Sequence, residues 1–240
     1  MQYNRWGGSM NITKVTEVLE QLIKKIEKTS LISEKKRKRY LREINSLINE
    51  YKNIEIPDNL ENVYTSLVRK GKELLKGFRA DANSKELNDK LSYYIRYLKA
   101  AKADFTGNTN YINKYFRVYL FTSILFLALS PQYFGFVLPA VFFIPIFLGV
   151  RGIKNRSLTG FNLSLTVIPV SIMTSFIWIR YGLFVISNYR EAINQTLNYT
   201  GLSPTLATLL TIIPPILAVI LLILIIVQSY RAIKCKDLFV

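Results

Sequence analysis

VYLFTSILFLALSPQYFGFVLPAVFFIPIFLGV, residues 118 to 150, is a run of 33 residues without a charge. A helix rises about 1.5 Å per residue and a hydrocarbon core is about 30 Å thick, so one crossing needs about 20 residues. The run is too long for one. Ser130-Pro131-Gln132 lies near its middle, where proline ends helices and serine and glutamine tolerate water. The stretch therefore reads as a tight hairpin of two spans, about 115 to 131 and about 134 to 150. Both are short, which requires a slightly thinned bilayer or a turn seated in the far interface.

Two more apolar stretches follow. Ser157 to Ile179 holds 23 uncharged residues and can run on past Arg180 to Ser187, and a fourth span reads from about 206 to 227. Four spans bring both termini to the same side. The region before the first span, the connection with Arg151, Lys154 and Arg156, and the tail with Arg231, Lys234 and Lys236 hold 30 of the 32 basic residues. Only Arg180 and Arg190 remain for the other side. The positive-inside rule then makes both termini cytoplasmic, and the short connections alone point the same way. The expected location is the cell membrane, as a multi-pass protein.

Composition divides the chain at about the same place. Residues 1 to 117 carry 24 Lys and Arg against 14 Asp and Glu, whereas residues 118 to 240 carry 8 against 2. The domain reading is a flexible tail at 1–10, a basic cytosolic helical domain at 11–110, a four-span transmembrane domain at 115–230 and a cytosolic tail at 231–240. No cleavable signal is evident, since the first apolar run of sufficient length begins near residue 116.

Within the basic domain, apolar residues recur at steps of three and four, the spacing of helices rather than of strands. Val15, Leu19, Leu22 and Ile26 form one stripe, and Tyr40, Ile44, Leu47 and Tyr51 a second, widened by Leu41 and Ile48. Leu60, Tyr64, Leu67, Leu74 and Phe78 form a third, with Gly71 at the seam, and Leu87, Leu91, Tyr94 and Leu98 a fourth. Asn11, Ser33, Asp58 after Pro57, and Asn83 or Ser84 are the expected N-caps, with Asp58 and Glu61 at capping-box spacing. The fold class is all-α: an N-terminal helical bundle or paired helical hairpins, followed by a four-helix transmembrane bundle. A pair of long coiled coils competes, because each stripe has heptad spacing over about two heptads.

Chemistry-bearing residues are few. The sequence has no His and a single cysteine, Cys235, and lacks paired intramembrane carboxylates and any Gly-rich phosphate motif. No enzymatic activity, cofactor or metal is expected. The densest charge run, Lys35, Lys36, Arg37, Lys38 and Arg39, reads either as the solvated first turns of a helix or as a patch held on anionic headgroups, at about 1 kcal/mol per basic residue. Nucleic acid is disfavoured, since the run lacks interleaved aromatic residues and a recognition helix.

Arg180, between Trp178 and Tyr181, reads as an interfacial anchor, or as an intramembrane group in need of a partner if its helix continues. Glu191 is the nearest acid in sequence. Residues 188 to 203 form the one sizeable outer loop and hold two acceptor sequons, at Asn194 and Asn198. Pro139, Pro145, Pro169, Pro214 and Pro215 should kink the spans, and Asn162, Ser164, Thr166, Ser171, Thr174 and Ser175 give the third a polar face.

The reading that follows is a membrane-anchored interaction or scaffold protein working through its helical domain. Its partners would be the bilayer, a protein, or a second copy engaged through residues 11–102. The competing reading is a small channel or transporter built around proline-kinked helices.

Overall fold

The computed structural model describes residues 13–79, 82–107 and 109–240. The expected tail at 1–10 and the cap at Asn11 lie outside them. The described residues contain helices and no strands. The chain divides into two units, one of residues 1–110 together with Asp237–Val240, the other of Tyr111–Lys236.

In the first unit each apolar stripe becomes one helix: α1 (Thr13–Lys28), α2 (Glu34–Tyr51), α3 (Glu61–Lys76) and α4 (Ser84–Phe105). α1 packs on α2 and α3, and α4 packs on the same two, so the four surround a single core. Val15, Leu19, Leu22, Ile26, Ile44, Leu67, Leu91 and Leu98 are wholly buried in it. Short connections and a shared core make this a bundle, with no extended coiled coil among the described residues. Two phenols tie the helices across the core: the Tyr51 hydroxyl donates to the Leu98 carbonyl at 2.7 Å and that of Tyr94 to the Leu67 carbonyl at 3.1 Å. Burial pushes both phenols above their ordinary range, so they act as neutral donors.

The caps follow the sequence only in part. Asn83 caps α4, accepting from the amides of Lys85 and Glu86. Ser33 occupies the N-cap position of α2 but makes no capping bond. Asp58 is not the cap of α3: it opens a single 3-10 turn, Asp58–Leu60, and Leu60 takes the cap position without a side-chain bond. The expected capping box with Glu61 does not form, because the extra turn moves the start of α3 to Glu61 itself.

The second unit begins with α5 (Asn110–Leu129), a one-turn helix α6 (Pro131–Phe134) and α7 (Val137–Lys154). The uncharged run is thus two helices joined by a tight turn, with Gly135 at φ +62° where a side chain would be strained. α7 ends with Arg156 at φ 53°; the Ser157 amide bonds the Gly152 carbonyl and that of Arg156 bonds the Ile153 carbonyl, the pattern that closes a helix through a left-handed residue. Next come α8 (Leu158–Leu165), α9 (Val167–Ser187), α10 (Tyr189–Thr200) and α11 (Pro204–Cys235).

The third apolar stretch is therefore interrupted at Thr166, three residues before Pro169, whose missing amide donor cannot continue the ladder. Pro139 lies in the first turn of α7 rather than at a kink, whereas Pro145, Pro214 and Pro215 are interior. The segment 188–203 is a correction: most of it is α10, not a loop. α8 doubles back on α7 where Gly152 and Gly160 bring two backbones together, and a methyl group on either would strike the other's backbone. Among the described residues four helical stretches are long and apolar enough to cross a membrane: Asn110–Leu129, Val137–Lys154, Leu158–Ser187 and Pro204–Leu238.

Gly71 gives the first unit its sharpest packing test. A Cβ there would overlap the Tyr94 hydroxyl and lie 2.5 Å from a Val18 methyl, both fixed in the core. Alanine is worth about 1 kcal/mol more than glycine in a helix interior, but overpacking costs about 1–3 kcal/mol. Gly71→Ala should therefore lower the midpoint of thermal unfolding of the first unit, read by circular dichroism, and a rise in midpoint would refute this packing.

Candidate functional site

The basic run 35–39 forms the first turns of α2, and its five residues differ in what they touch. Tyr40, Ile44, Leu47 and Tyr51 turn one side of α2 into the core, leaving Lys35, Lys36, Lys38 and Arg39 exposed on the other. Lys38 pairs with Glu34 at 2.8 Å, and Arg39 lies 3.6 Å from Glu43 and stacks over the Tyr40 ring at 4.9 Å. Pairs as exposed as these contribute little. Lys35 and Lys36 form no ion pair among the described residues.

Arg37 is different. It is half-buried, and its guanidinium donates to the carbonyls of Thr29 at 2.6 Å and Ile32 at 3.4 Å. It thereby satisfies carbonyls where α1 ends and the chain turns toward α2. Its role is to hold the α1–α2 turn, which charge clustering alone could not reveal.

Around this patch the first unit carries mixed charge. Lys102 bonds Glu50 at 2.7 Å, and Lys99 bonds Glu43 at 2.9 Å with Asp237 at 3.8 Å. Burial acts upward on the Glu50 carboxyl, but hydrogen bonds from Lys102 and Ser46 outweigh it and hold the group below its usual range. On the α3–α4 side, Tyr93 and Tyr97 stack at 6.2 Å, and the Lys70 ammonium sits 4.7 Å over both rings while donating to the Tyr93 hydroxyl at 2.9 Å. Lys70 and Tyr93 edge a groove of about 420 Å³ that Glu73, Asp89 and Lys90 also line.

In the second unit, Arg180 is exposed on α9 with seven residues of helix still to follow. It sits beside an aromatic cluster: Trp178 packs edge-on against Tyr133 at 4.9 Å and against Tyr181 at 5.7 Å. Glu191 lies on α10, where it accepts from Gln195, and no ion pair joins it to Arg180. The structure does not bring these two residues together. Asn194 and Asn198 are exposed on α10.

The polar face read on the third apolar stretch forms one side of a buried polar seam at Ser164, Ser171, Thr174 and Ser175, and the sequence reading missed its partners Tyr115, Tyr119 and Gln228. Tyr115 and Ser164 share a hydrogen bond at 2.6 Å, the Gln228 amide donates to the Ser164 carbonyl at 3.3 Å, and the Tyr119 hydroxyl donates to the Ile146 carbonyl at 3.0 Å. Ser171, Thr174 and Ser175 are fully buried alongside, whereas Asn162 and Thr166 face outward. One signal could have found them: Tyr115 and Tyr119 are four apart on one helix face, and Gln228 is the one amide in α11, directly after the apolar run 212–227. Among the described residues no three His, Cys, Asp or Glu side chains converge as metal ligands.

No protein-family model matches the chain, and no curated protein or solved structure matches it.

The unequal roles within 35–39 make a direct test. Removing Arg37 leaves carbonyls without their charged donor, a loss of about 1.5–3 kcal/mol, while exposed lysines are worth within about 0.5 kcal/mol. Arg37→Ala should lower the melting temperature of the first unit, and Lys35→Ala with Lys36→Ala should leave it in place. Equal melts for all three would show that the Arg37 clamp contributes nothing.

Proposed function

We propose that this chain is an integral membrane protein of the cell membrane whose basic helical unit works on the cytoplasmic side as an anchored interaction domain, held against anionic headgroups. The observation that carries this reading is the pairing of two kinds of helix in one chain. A unit that closes its own apolar core and turns Lys35, Lys36, Lys38 and Arg39 outward is joined to four helices long and apolar enough to cross a bilayer. A basic patch tethered beside an anionic leaflet gains attraction from each exposed cation, and the attraction weakens as salt shortens the Debye length. In this role the helical unit is a scaffold: its chemistry lies in which surface it touches, not in bonds made or broken.

Both termini are cytoplasmic on this reading, with α10 and the α5–α7 turn outside. Asn194 and Asn198 would then be the sequons open to modification in a host that glycosylates asparagine, and Arg180 would sit with Trp178 and Tyr181 as an interfacial anchor.

A second reading, a small channel or transporter, draws on the break at Thr166 and the buried hydroxyls of Ser164, Ser171, Thr174 and Ser175. Solute flux through liposomes containing only the spans would favour transport over anchoring.

Two measurements address the first reading. Residues 11–110, with helical content verified by circular dichroism, should co-sediment with vesicles containing phosphatidylserine and be released at high salt. Combined Lys35→Ala, Lys36→Ala, Lys38→Ala and Arg39→Ala should reduce that binding by on the order of tenfold or more, at about 1 kcal/mol per charge. Binding to neutral vesicles at the same level would remove the headgroup proposal.

Topology is the second. With thiols placed at Gln132, Lys154 and Asn198, an impermeant reagent applied to intact cells should label 132 and 198 and spare 154. External labelling at 154 would invert the arrangement.

A further inference from the structure

Residues 237–240 belong to the first unit although α11 and Lys236 precede them directly, so the chain passes from one unit to the other at the peptide bond between Lys236 and Asp237. A single 3-10 turn, Lys236–Leu238, leads into Phe239, which has no exposure, while Leu238 and Val240 are half-buried. Asp237 is exposed and sets a carboxylate oxygen 3.8 Å from the Lys99 ammonium of α4. The segment is thus held by one buried ring, two half-buried side chains and one long ion contact. Burying those groups and ordering four residues are terms of similar size and opposite sign, so the docked and undocked segments lie close in free energy.

Lys99 is shared. Its ammonium also bonds Oε2 of Glu43 at 2.9 Å, and the other oxygen of that carboxylate, Oε1, lies 3.6 Å from Nε of Arg39. Asp237, Lys99, Glu43 and Arg39 therefore alternate in sign along one row that starts on the segment and ends in the basic patch. Each contact is partly exposed and weak alone. Together they make the patch depend on the segment. When Asp237 leaves, Lys99 turns wholly to Glu43, and Glu43 holds Arg39 less.

We propose that residues 237–240 are a strap that restrains the basic patch: docked through Phe239, it keeps Arg39 tied to Glu43, and undocked, it frees Arg39 for an anionic surface. The two equilibria are reciprocal, because whatever the strap does to headgroup binding, headgroup binding does to the strap. An anionic headgroup that draws Arg39 away leaves Glu43 to Lys99 and loosens Asp237. The strap follows α11 in sequence, so the segment that ends the last apolar helix is also the one that sets how freely the patch engages. The inference rests on the headgroup reading above.

The test uses the full chain in phosphatidylcholine nanodiscs with and without phosphatidylserine, in a Cys235→Ser background that removes the one natural thiol. Val240→Cys reports the strap: its alkylation by a bulky maleimide should quicken about tenfold or more when Phe239→Ala removes the buried ring. An environment-sensitive dye on Ser33→Cys reports the patch, since Ser33 is exposed at the start of α2 and makes no capping bond. At fixed salt, Asp237→Asn and Phe239→Ala should each raise the ratio of engaged to free patch in phosphatidylserine discs by about two- to fivefold, the worth of an exposed ion pair. Asp237→Asn leaves Phe239 in place, so its effect does not depend on the fold tolerating loss of the ring. Glu43→Gln breaks the row, and in that background Asp237→Asn should shift nothing. Equal alkylation at Val240 with and without Phe239 overturns the strap. A dye that responds to phosphatidylserine but ignores the strap variants, or an Asp237→Asn shift that survives Glu43→Gln, overturns the restraint alone. A dye indifferent to phosphatidylserine in the chain with Asp237 and Phe239 intact overturns the headgroup reading and the restraint with it.

Discussion

A polar group among long apolar helices has only its own helix or a neighbour's side chain to bond, and the second unit is organised around that constraint. Ser164 carries the main junction. Its single hydroxyl proton goes to the Phe161 carbonyl at 2.6 Å, so Tyr115 is the donor in the bond between the two hydroxyls, while the Ser164 carbonyl accepts from Gln228. Three helices, α5, α8 and α11, meet through one residue. The Leu129 carbonyl, at the end of α5, is met by the Trp178 indole in the same way. Each such bond is worth about 1 kcal/mol net, but leaving the buried group unmatched costs about 1–3 kcal/mol, so the penalty fixes the arrangement more firmly than the gain.

Close backbone contact is the second means of holding these helices together. Gly152 and Gly160 allow α7 and α8 to touch, and Gly149 leaves room for the Tyr119 hydroxyl beside α7. On the proposed membrane placement apolar side chains gain little from leaving lipid for one another, so association would rest on packing and on bonds such as Tyr119 to Ile146. The first unit obeys a different rule. Water drives its stripes inward, and Tyr51 and Tyr94 add direction to a core that hydrophobic burial already holds.

That difference explains what could be read in advance. Of the seventeen positions in the four main stripes all but Leu60 and Phe78 of the third become buried core, because a period of three and four leaves one side of a helix for burial. The uncharged run resolved into two helices for reasons of length and one proline. In the second unit only the hydroxyls of the third stretch gave a pattern, four of the six polar positions becoming buried, since almost every other residue there is apolar and periodicity carries no contrast. The helical form of α10 was hidden for a related reason: a polar stretch between apolar helices looks the same whether it is loop or helix, and only its packing on α11 decides. Within 35–39 the five cations are alike as letters, and the turn before α2 alone singles out Arg37.

Residues 237–240 group with the first unit, and Phe239 among them has no exposure at all. That unit is thus assembled from segments at opposite ends of the described chain. At synthesis rates of about 5–20 residues per second, about 7 to 27 seconds separate the emergence of α4 from that of Phe239. During this interval the four helices are without the segment that completes their unit. The order of manufacture, and not only the final packing, therefore sets when that unit is complete.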